Sequence, residues 1–185
     1  LRALEVLKEA DLIACEDTRV SGGLLKHYGI TTKMLPYHTH NEAETTETLI
    51  GHLTRGARIA LISDAGTPLL SDPGARLVHS AIAAGIRVTP IPGASALLSA
   101  LTISGLPAEQ FYYAGFLPSK ATARRTALTA LVPIPVTLVF YEAPHRLLET
   151  LEDIRATLGA RTVAVARELT KLYEECVRGS IEDVL

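Results

Sequence analysis

Short apolar runs recur along this chain, and each is followed by a loop and then an amphipathic stretch. Leu12-Ile13-Ala14-Cys15 is the first, of strand length. Residues 21–28 then read as a short helix stopped by Gly29. Met34-Leu35-Pro36-Tyr37 predicts a short or edge strand, because Pro36 has no N–H for a ladder. Asn41 is placed to cap a helix running to about Arg55, with Gly56 just past its end. Arg58-Ile59-Ala60-Leu61-Ile62 is a near-continuous apolar strand. The pattern then predicts a helix over 75–84, a strand over 88–91 and a helix over 95–104, ended by Gly105. Strands alternating with helices imply a largely parallel sheet with right-handed crossovers.

A boundary is expected near Leu106-Pro107-Ala108, giving domains 1–107 and 108–185. The second part restarts with the aromatic run Phe111 to Phe116. A helix over 121–131 follows, and Pro133 and Pro135 frame a turn into the strand 136–141. Residues 145–158 read as a helix ended by Gly159, 162–166 and 175–178 as strands, and Ser180 to Asp183 as the start of a capped helix. The predicted class is therefore α/β, with a largely parallel N-terminal sheet and a smaller mixed C-terminal sheet with helices. Leu1 falls inside what reads as a helix, and Leu185 ends in mid-element. The expectation is that a first strand precedes the chain and that the second domain is incomplete.

Composition sharpens this picture. Of 185 residues 48% are hydrophobic but only 5% aromatic, with no Trp. A core built from Leu, Ile, Val and Ala suits a helix-covered parallel sheet. The net charge of −2 argues against a broad basic surface gripping nucleic acid non-specifically, and leaves open an RNA met locally. Cys15 and Cys176 make neither a metal motif nor a disulfide framework, so a reduced cytoplasmic protein is expected. No run approaches the ~20 apolar residues of a membrane span, and no signal-peptide pattern is visible.

In open parallel sheets ligands bind beyond the carboxyl ends of the strands, near a topological switch point. The loops after the apolar runs are therefore where chemistry is sought. After Ile62 comes Ser63-Asp64-Ala65-Gly66-Thr67-Pro68, continuing to Ser71-Asp72-Pro73-Gly74. Gly66 permits positive φ and close approach of a ligand, and Asp64 can present a carboxylate. Asp72-Pro73 predicts a helix N-cap and first position. After Ile91, Pro92-Gly93-Ala94-Ser95-Ala96 offers small residues against which a flat ligand can lie, or simply a cap at Ser95. After Cys15, Glu16-Asp17-Thr18-Arg19 either orients a substrate or forms an ion pair. Adjacent acids point in different directions, so spacing alone does not make them an acid/base dyad. After Tyr141, Glu142 is a general base or the i,i+4 partner of Arg146, and His145 a proton shuttle or a solvated first-turn residue. Arg167 to Lys171 is charged like a rim. His38-x-His40 lacks a third ligand at metal spacing, so no metal is expected. Lys120, Arg124 and Arg125 are a solvated helix face or phosphate contacts. No Gly-x-Gly-x-x-Gly after a strand, no P-loop and no Gly-x-Ser-x-Gly elbow occur, which disfavours dinucleotide oxidoreductases, NTPases and α/β-hydrolases.

Taken in order, the loops at 16–19, 63–74, 92–96, 140–146 and 166–171 resemble the tetrapyrrole-methylase superfamily over essentially the whole chain. The acidic first loop and the Ser-Asp-Ala-Gly-Thr-Pro loop are similar to the branch that methylates a ribose 2′-hydroxyl in small-subunit ribosomal RNA. That resemblance implies two α/β domains with S-adenosylmethionine bent in the cleft between them, a homodimer, and no metal. The implied substrate is a cytidine 2′-hydroxyl of 16S rRNA within the small ribosomal subunit. By the same resemblance Asp64 and Thr67 line the methionine side of the cofactor, Ser95 and Ala96 lie beside it, and Tyr141 and Ala166 meet the adenosine. Glu16, Asp17 and Glu142 then become candidates for the base or for ribose orientation, and Arg19, Arg146 and Lys171 for phosphate contacts. Three alternatives stay open: a related methyltransferase acting on a small macrocycle, a non-catalytic RNA-binding or scaffold module, and an unrelated nucleotide-binding domain, which the absence of phosphate motifs disfavours.

Overall fold

A computed structural model describes residues 1–185. The chain forms two compact units, Leu1–Ser95 and Ala96–Leu185. In the first, α1 (Arg2–Glu9) leads into β1 (Leu12–Cys15), α2 (Thr18–His27), β2 (Met34–Pro36), α3 (Glu42–Thr54), β3 (Ile59–Ile62) and α4 (Ala75–Ala83). The three strands form one parallel sheet in the order β2-β1-β3. Ile13 to Cys15 lie opposite Met34 to Pro36 on one side, and Leu12 to Cys15 opposite Ile59 to Ile62 on the other. Pro36 therefore sits in an edge strand, where its missing donor costs no ladder bond.

The apolar runs are continuous because this sheet is covered on both faces. Ile13, Cys15, Ala60, Met34 and Ile62 pack with Leu7 of α1, Leu25 of α2 and Ile30. The alternate positions Leu12, Ala14, Leu35, Ile59 and Leu61 pack with Leu49 of α3, Leu77 of α4 and Tyr37. A strand with period-2 side chains and helices on each face must be apolar at every position. Cys15 is fully buried at the end of the central strand, and burial is the main cause that pushes its thiol pKa up.

Two sequence expectations fail here for identifiable reasons. Residues 88–91 form no strand. Pro90 and Pro92 remove alternate backbone donors, so Val88 and Ile91 cannot be stitched to a neighbour. Asp72 does not cap α4. The helix starts three residues later, at Ala75, with Gly74 at the N-cap in a left-handed conformation of φ 136°.

The second unit contains α5 (Ala96–Ser104), β4 (Phe111–Phe116), α6 (Ala121–Leu131), β5 (Thr137–Tyr141), a 3₁₀ turn (Pro144–Arg146), α7 (Leu147–Leu158), β6 (Thr162–Arg167), β7 (Glu175–Ser180) and α8 (Ile181–Val184). β4 and β5 pair in parallel, with an irregularity between Tyr113 and Gly115, and β6 and β7 form an antiparallel hairpin. Leu117, Leu128, Ile154 and Ile181 make its core, with Phe140 and Val163 against them. Helix α5, which the sequence places before the expected boundary at 107, groups with this unit. The guanidinium of Arg178 on β7 donates to the Ile103 carbonyl of α5, and Thr137 Oγ1 donates to the Pro107 carbonyl at 2.6 Å. Cys176, on β7, is only half-buried.

Arg124 corrects the reading of Lys120, Arg124 and Arg125 as one solvated or RNA-facing set. Its side chain is 2% exposed and its Nε lies 2.7 Å from Asp153 on α7, with Glu149 at 3.6 Å. It holds α6 to α7. Among the helices of the chain, none is long and apolar enough to cross a membrane.

Candidate active site

The chain enters the sheet at β1, passes to one side as β2 and returns to the other side as β3. The point where the order reverses lies beyond the carboxyl ends of β1 and β3, where a crevice is expected. Their exit loops place acids together there. The Asp17 backbone N–H donates to Asp64 Oδ1 at 3.1 Å, across 47 residues of sequence. Glu16, half-buried, carries a carboxyl whose pKa is raised, first by burial and then by the charges of Asp72 and Asp64; His38 pulls it back down. Asp72 is raised as well, by burial first, with Asp64 adding to it and Ser63 opposing.

Asp17 differs from its neighbour. It is the N-cap of α2, accepting from the Arg19 backbone N–H at 2.8 Å. It also accepts from the Arg19 guanidinium, at 2.6 Å from Nη2. These bonds to the charged form hold its pKa down at about 2. The sequence reading missed this cap because it started the helix at Ser21.

The 63–74 loop is unusually constrained. Leu69 and Ser71, neither a glycine, have φ of 75° and 66°. Gly74 is enforced by space: a Cβ there would lie 2.7 Å from Leu61 Cδ2 and 2.9 Å from Leu69 Cδ1. Its N–H donates to Glu42 Oε1 at 3.2 Å, and the same oxygen accepts from the Tyr37 hydroxyl at 3.0 Å. Glu42 thus ties the end of this loop to the exit of β2, a role its position in the first turn of α3 did not reveal. At the other end, Thr67 Oγ1 donates to the Ala94 carbonyl at 3.0 Å, joining the loop to the 92–96 segment. Ala65, Gly66, Gly93 and Ala94 are exposed, and nothing lies within 4 Å of the Cβ positions of Gly66 and Gly93.

In the second unit the structure brings Tyr141 to the start of α5, where Ala96 lies. The Tyr141 hydroxyl accepts from the Leu97 N–H, in the first turn of α5, at 3.2 Å. Its ring is held against Tyr113 and Phe116, with centroids 5.2 and 5.6 Å away. Glu142, next along, accepts from Thr150 Oγ1 at 2.6 Å, from the Ala143 N–H at 2.8 Å and from Arg146 Nη2 at 3.1 Å. Arg146 Nη2 also donates to the Leu117 carbonyl at 2.9 Å. The i,i+4 ion pair left open by the sequence is thus formed, and both residues are built into the turn after β5. Ala166 faces Cys176 in the hairpin register, and Lys171, at the hairpin tip, pairs with Glu168 at 3.2 Å.

A parallel sheet flanked by helices on both faces, with polar loops gathered at its switch point, defines an α/β protein of the class that binds ligands at strand carboxyl ends. The sequence matches the family described as Tetrapyrrole (Corrin/Porphyrin) Methylases over residues 1–185, and the chain belongs to that family. It is 53% identical over 184 residues to a protein of Halalkalibacterium halodurans named ribosomal RNA small subunit methyltransferase I, covering 100% of this chain and 64% of that one. Proteins of the same name from Escherichia coli O157:H7 and Mesorhizobium japonicum are 55% and 56% identical. The matches cover 94% and 98% of this chain, and 61% and 62% of theirs. The chain therefore spans less than two thirds of the length of these curated relatives. Among solved structures, a cobalt precorrin-4 methyltransferase superposes with a TM-score of 0.66 at 18% identity, over 100% of this chain and 80% of that one. A uroporphyrin-III C-methyltransferase from Thermus thermophilus, complexed with S-adenyl homocysteine, gives 0.59 at 20%, over 99% and 82%. At these identities the structural likeness speaks for the fold.

Proposed function

We propose that this chain carries an S-adenosylmethionine-dependent methyltransferase that 2′-O-methylates a cytidine ribose of 16S rRNA in the small ribosomal subunit. The observation that carries the reading is identity above one half, across nearly the whole chain, to relatives named ribosomal RNA small subunit methyltransferase I. The complex of a neighbour in fold with S-adenyl homocysteine supports the cofactor. The same resemblance carries a homodimer working in the cytoplasm.

The residues present fit the cofactor. Exposed small residues at 65–66 and 93–94 leave room for a flat ligand against the backbone, and the loop is held from both ends by Glu42 and Thr67. Asp64 and Thr67 would hold the methionine part, Ser95 and Ala96 would lie beside it, and Tyr141 and Ala166 would meet the adenosine. S-adenosylmethionine, when bound, supplies a methyl already activated on a sulfonium. The protein's work is then to align the ribose oxygen and to accept its proton.

Of the three candidate acids, Glu16 suits the proton best. Its carboxyl pKa is raised, first by burial, which strengthens it as a base. Asp17, held at about 2 by Arg19, is a weak base and suits ribose orientation. Glu142 is committed to three hydrogen bonds and suits holding Tyr141 in place. Arg19, whose side chain is 90% exposed, keeps the access a phosphate contact needs, as does exposed Lys171. Arg146, 20% exposed, is bonded to Glu142 and the Leu117 carbonyl in the turn after β5, which leaves it less free for such a contact.

Transfer of radiolabelled methyl from S-adenosylmethionine to small ribosomal subunits lacking the modification tests the reading. Label on the ribose of one cytidine is the expected result. Label on a tetrapyrrole and none on RNA would support the macrocycle alternative, and cofactor binding undetectable by calorimetry would leave the scaffold alternative.

A further inference from the structure

From Thr18 to Asn41 the chain carries Arg19, Lys26 and Lys33 and not one Asp or Glu. The chain as a whole has 18 Lys and Arg against 20 Asp and Glu, so everything outside this stretch is more acidic still. A local run of one sign, in a chain of net charge −2, is what an RNA gripped at one place rather than over the whole surface requires.

The fold turns that run into a face. α2 buries Ser21 and Leu25, and Leu25 packs with Ile13 and Cys15 of the sheet. On the other side of the helix Arg19, Gly23 and Lys26 follow at i, i+4 and i+7, and all three are exposed. At 1.5 Å per residue the two cations stand roughly 10 Å apart along the axis. Arg19 is held by Asp17, yet its side chain is 90% exposed. Nothing lies within 4 Å of the Cβ position of Gly23, so the backbone between the two cations is open.

Along one flank of this face lies a cavity of about 360 Å³, between α2 and the turn into β2. Buried Leu25 and Ile30 and half-buried Met34 line it together with Gly22, Gly29 and Lys26. The turn is fixed by Gly29, at a φ of 61°, and by the Ile30 N–H, which donates to the Leu25 carbonyl at 2.9 Å. Ligand pockets begin at about 300 Å³. An apolar bed beside a cation suits the flat face of a base whose phosphates lie close by. Proteins that read RNA do so mostly at unpaired bases, which can be splayed out of their stack.

We propose that this face of α2 docks the single-stranded RNA around the target nucleotide, with Arg19 and Lys26 on its phosphates and one unpaired base in the cavity beside Lys26. The inference rests on the reading of the substrate as small-subunit RNA. It also explains how the RNA reaches the reacting groups. Asp17 is the N-cap of the same helix and Glu16 precedes it, so a strand laid along α2 is led to the candidate acids.

The test compares KM, kcat and the salt dependence of binding for unmodified small subunits, using protein expressed from its complete coding sequence. Lys26→Gln should raise KM roughly fivefold, the effect falling on KM rather than on kcat, with cofactor binding by calorimetry intact. The slope of log affinity against log salt should fall by about one. Gly22→Leu fills the cavity from a helical position that leucine favours over glycine. It should raise KM by a similar factor while melting no lower than the parent. Arg87→Gln, at an exposed position beyond α4 on the opposite face of the sheet, should change none of these. KM unmoved in both Lys26→Gln and Gly22→Leu, with RNA still methylated, would overturn the docking face and leave the proposed activity standing. A raised KM with an unchanged salt slope in Lys26→Gln would assign the face to a protein of the subunit, and loss of a dimer on gel filtration would assign it to a second copy; either overturns the proposal. No methyl transfer to RNA by the parent would remove the reading beneath it as well.

Discussion

Asp17 and Glu16 are adjacent acids with opposite fates. Asp17 accepts from the backbone and side chain of Arg19, and its pKa falls to about 2; Glu16 is half-buried near two further acids, and its pKa rises. The sequence places both at a strand end but cannot say which is neutralised, since that depends on where α2 begins. Nor does it show His38 or Glu42 as neighbours of the site, because both arrive through the pairing of β2 with β1. The Asp17 interactions have a pH signature. A carboxylate with a depressed native pKa stabilises the fold above its unfolded pKa of about 4, and that stabilisation is lost as pH falls through about 2. Asp17→Ala should accordingly melt at a lower temperature than the parent at pH 7, and the gap should close on acidification toward pH 2. Thermal melts followed by circular dichroism would show this, and a gap independent of pH would contradict it.

At the scale of elements, most helices and strands were legible because the hydrophobic period carries them. β1 and β3 are apolar at every position because helices cover both faces, and β2 is correctly an edge. Where the reading failed, local chemistry outweighed pattern. Residues 88–91 are largely apolar but broken by Pro90 and followed by Pro92, and Asp72-Pro73 has the composition of a cap without its geometry. The true cap, Gly74, is fixed by packing that no local pattern displays. Gly74→Ala would force a Cβ into Leu61 and Leu69 at a left-handed φ. It should cost roughly 2–4 kcal/mol in urea denaturation, combining backbone strain with overpacking. A loss below about 1 kcal/mol, the small end of such changes, would mean that the loop yields easily.

At the scale of the whole molecule, family and class were readable from loops in the right order. Helix α5 follows the first unit in sequence, yet its Ile103 carbonyl is bonded by Arg178 of the hairpin, a partner 75 residues away. Each unit has its own core, so damage to one should stay local. Arg124→Ala leaves Asp153 nearly buried with only the exposed Arg125 beside it, 3.7 Å away, at a cost of about 3 kcal/mol. Hydrogen exchange should then show protection lost across residues 96–185 and kept in the β1-β2-β3 sheet. Arg124→Met combined with Asp153→Leu should recover most of the loss, since apolar side chains of similar volume can replace a buried ion pair. Loss of protection spreading evenly over the chain would refute two independent cores.

The two cysteines fall one in each unit, Cys15 sealed at the end of the central strand and Cys176 half-open on the hairpin. The protein thereby carries its own pair of chemical clocks. A thiol reagent added to the native state should label Cys176 promptly and Cys15 only at the pace at which the first unit opens. The rate at the slow thiol becomes a direct count of how often the sheet that bears the acids comes apart.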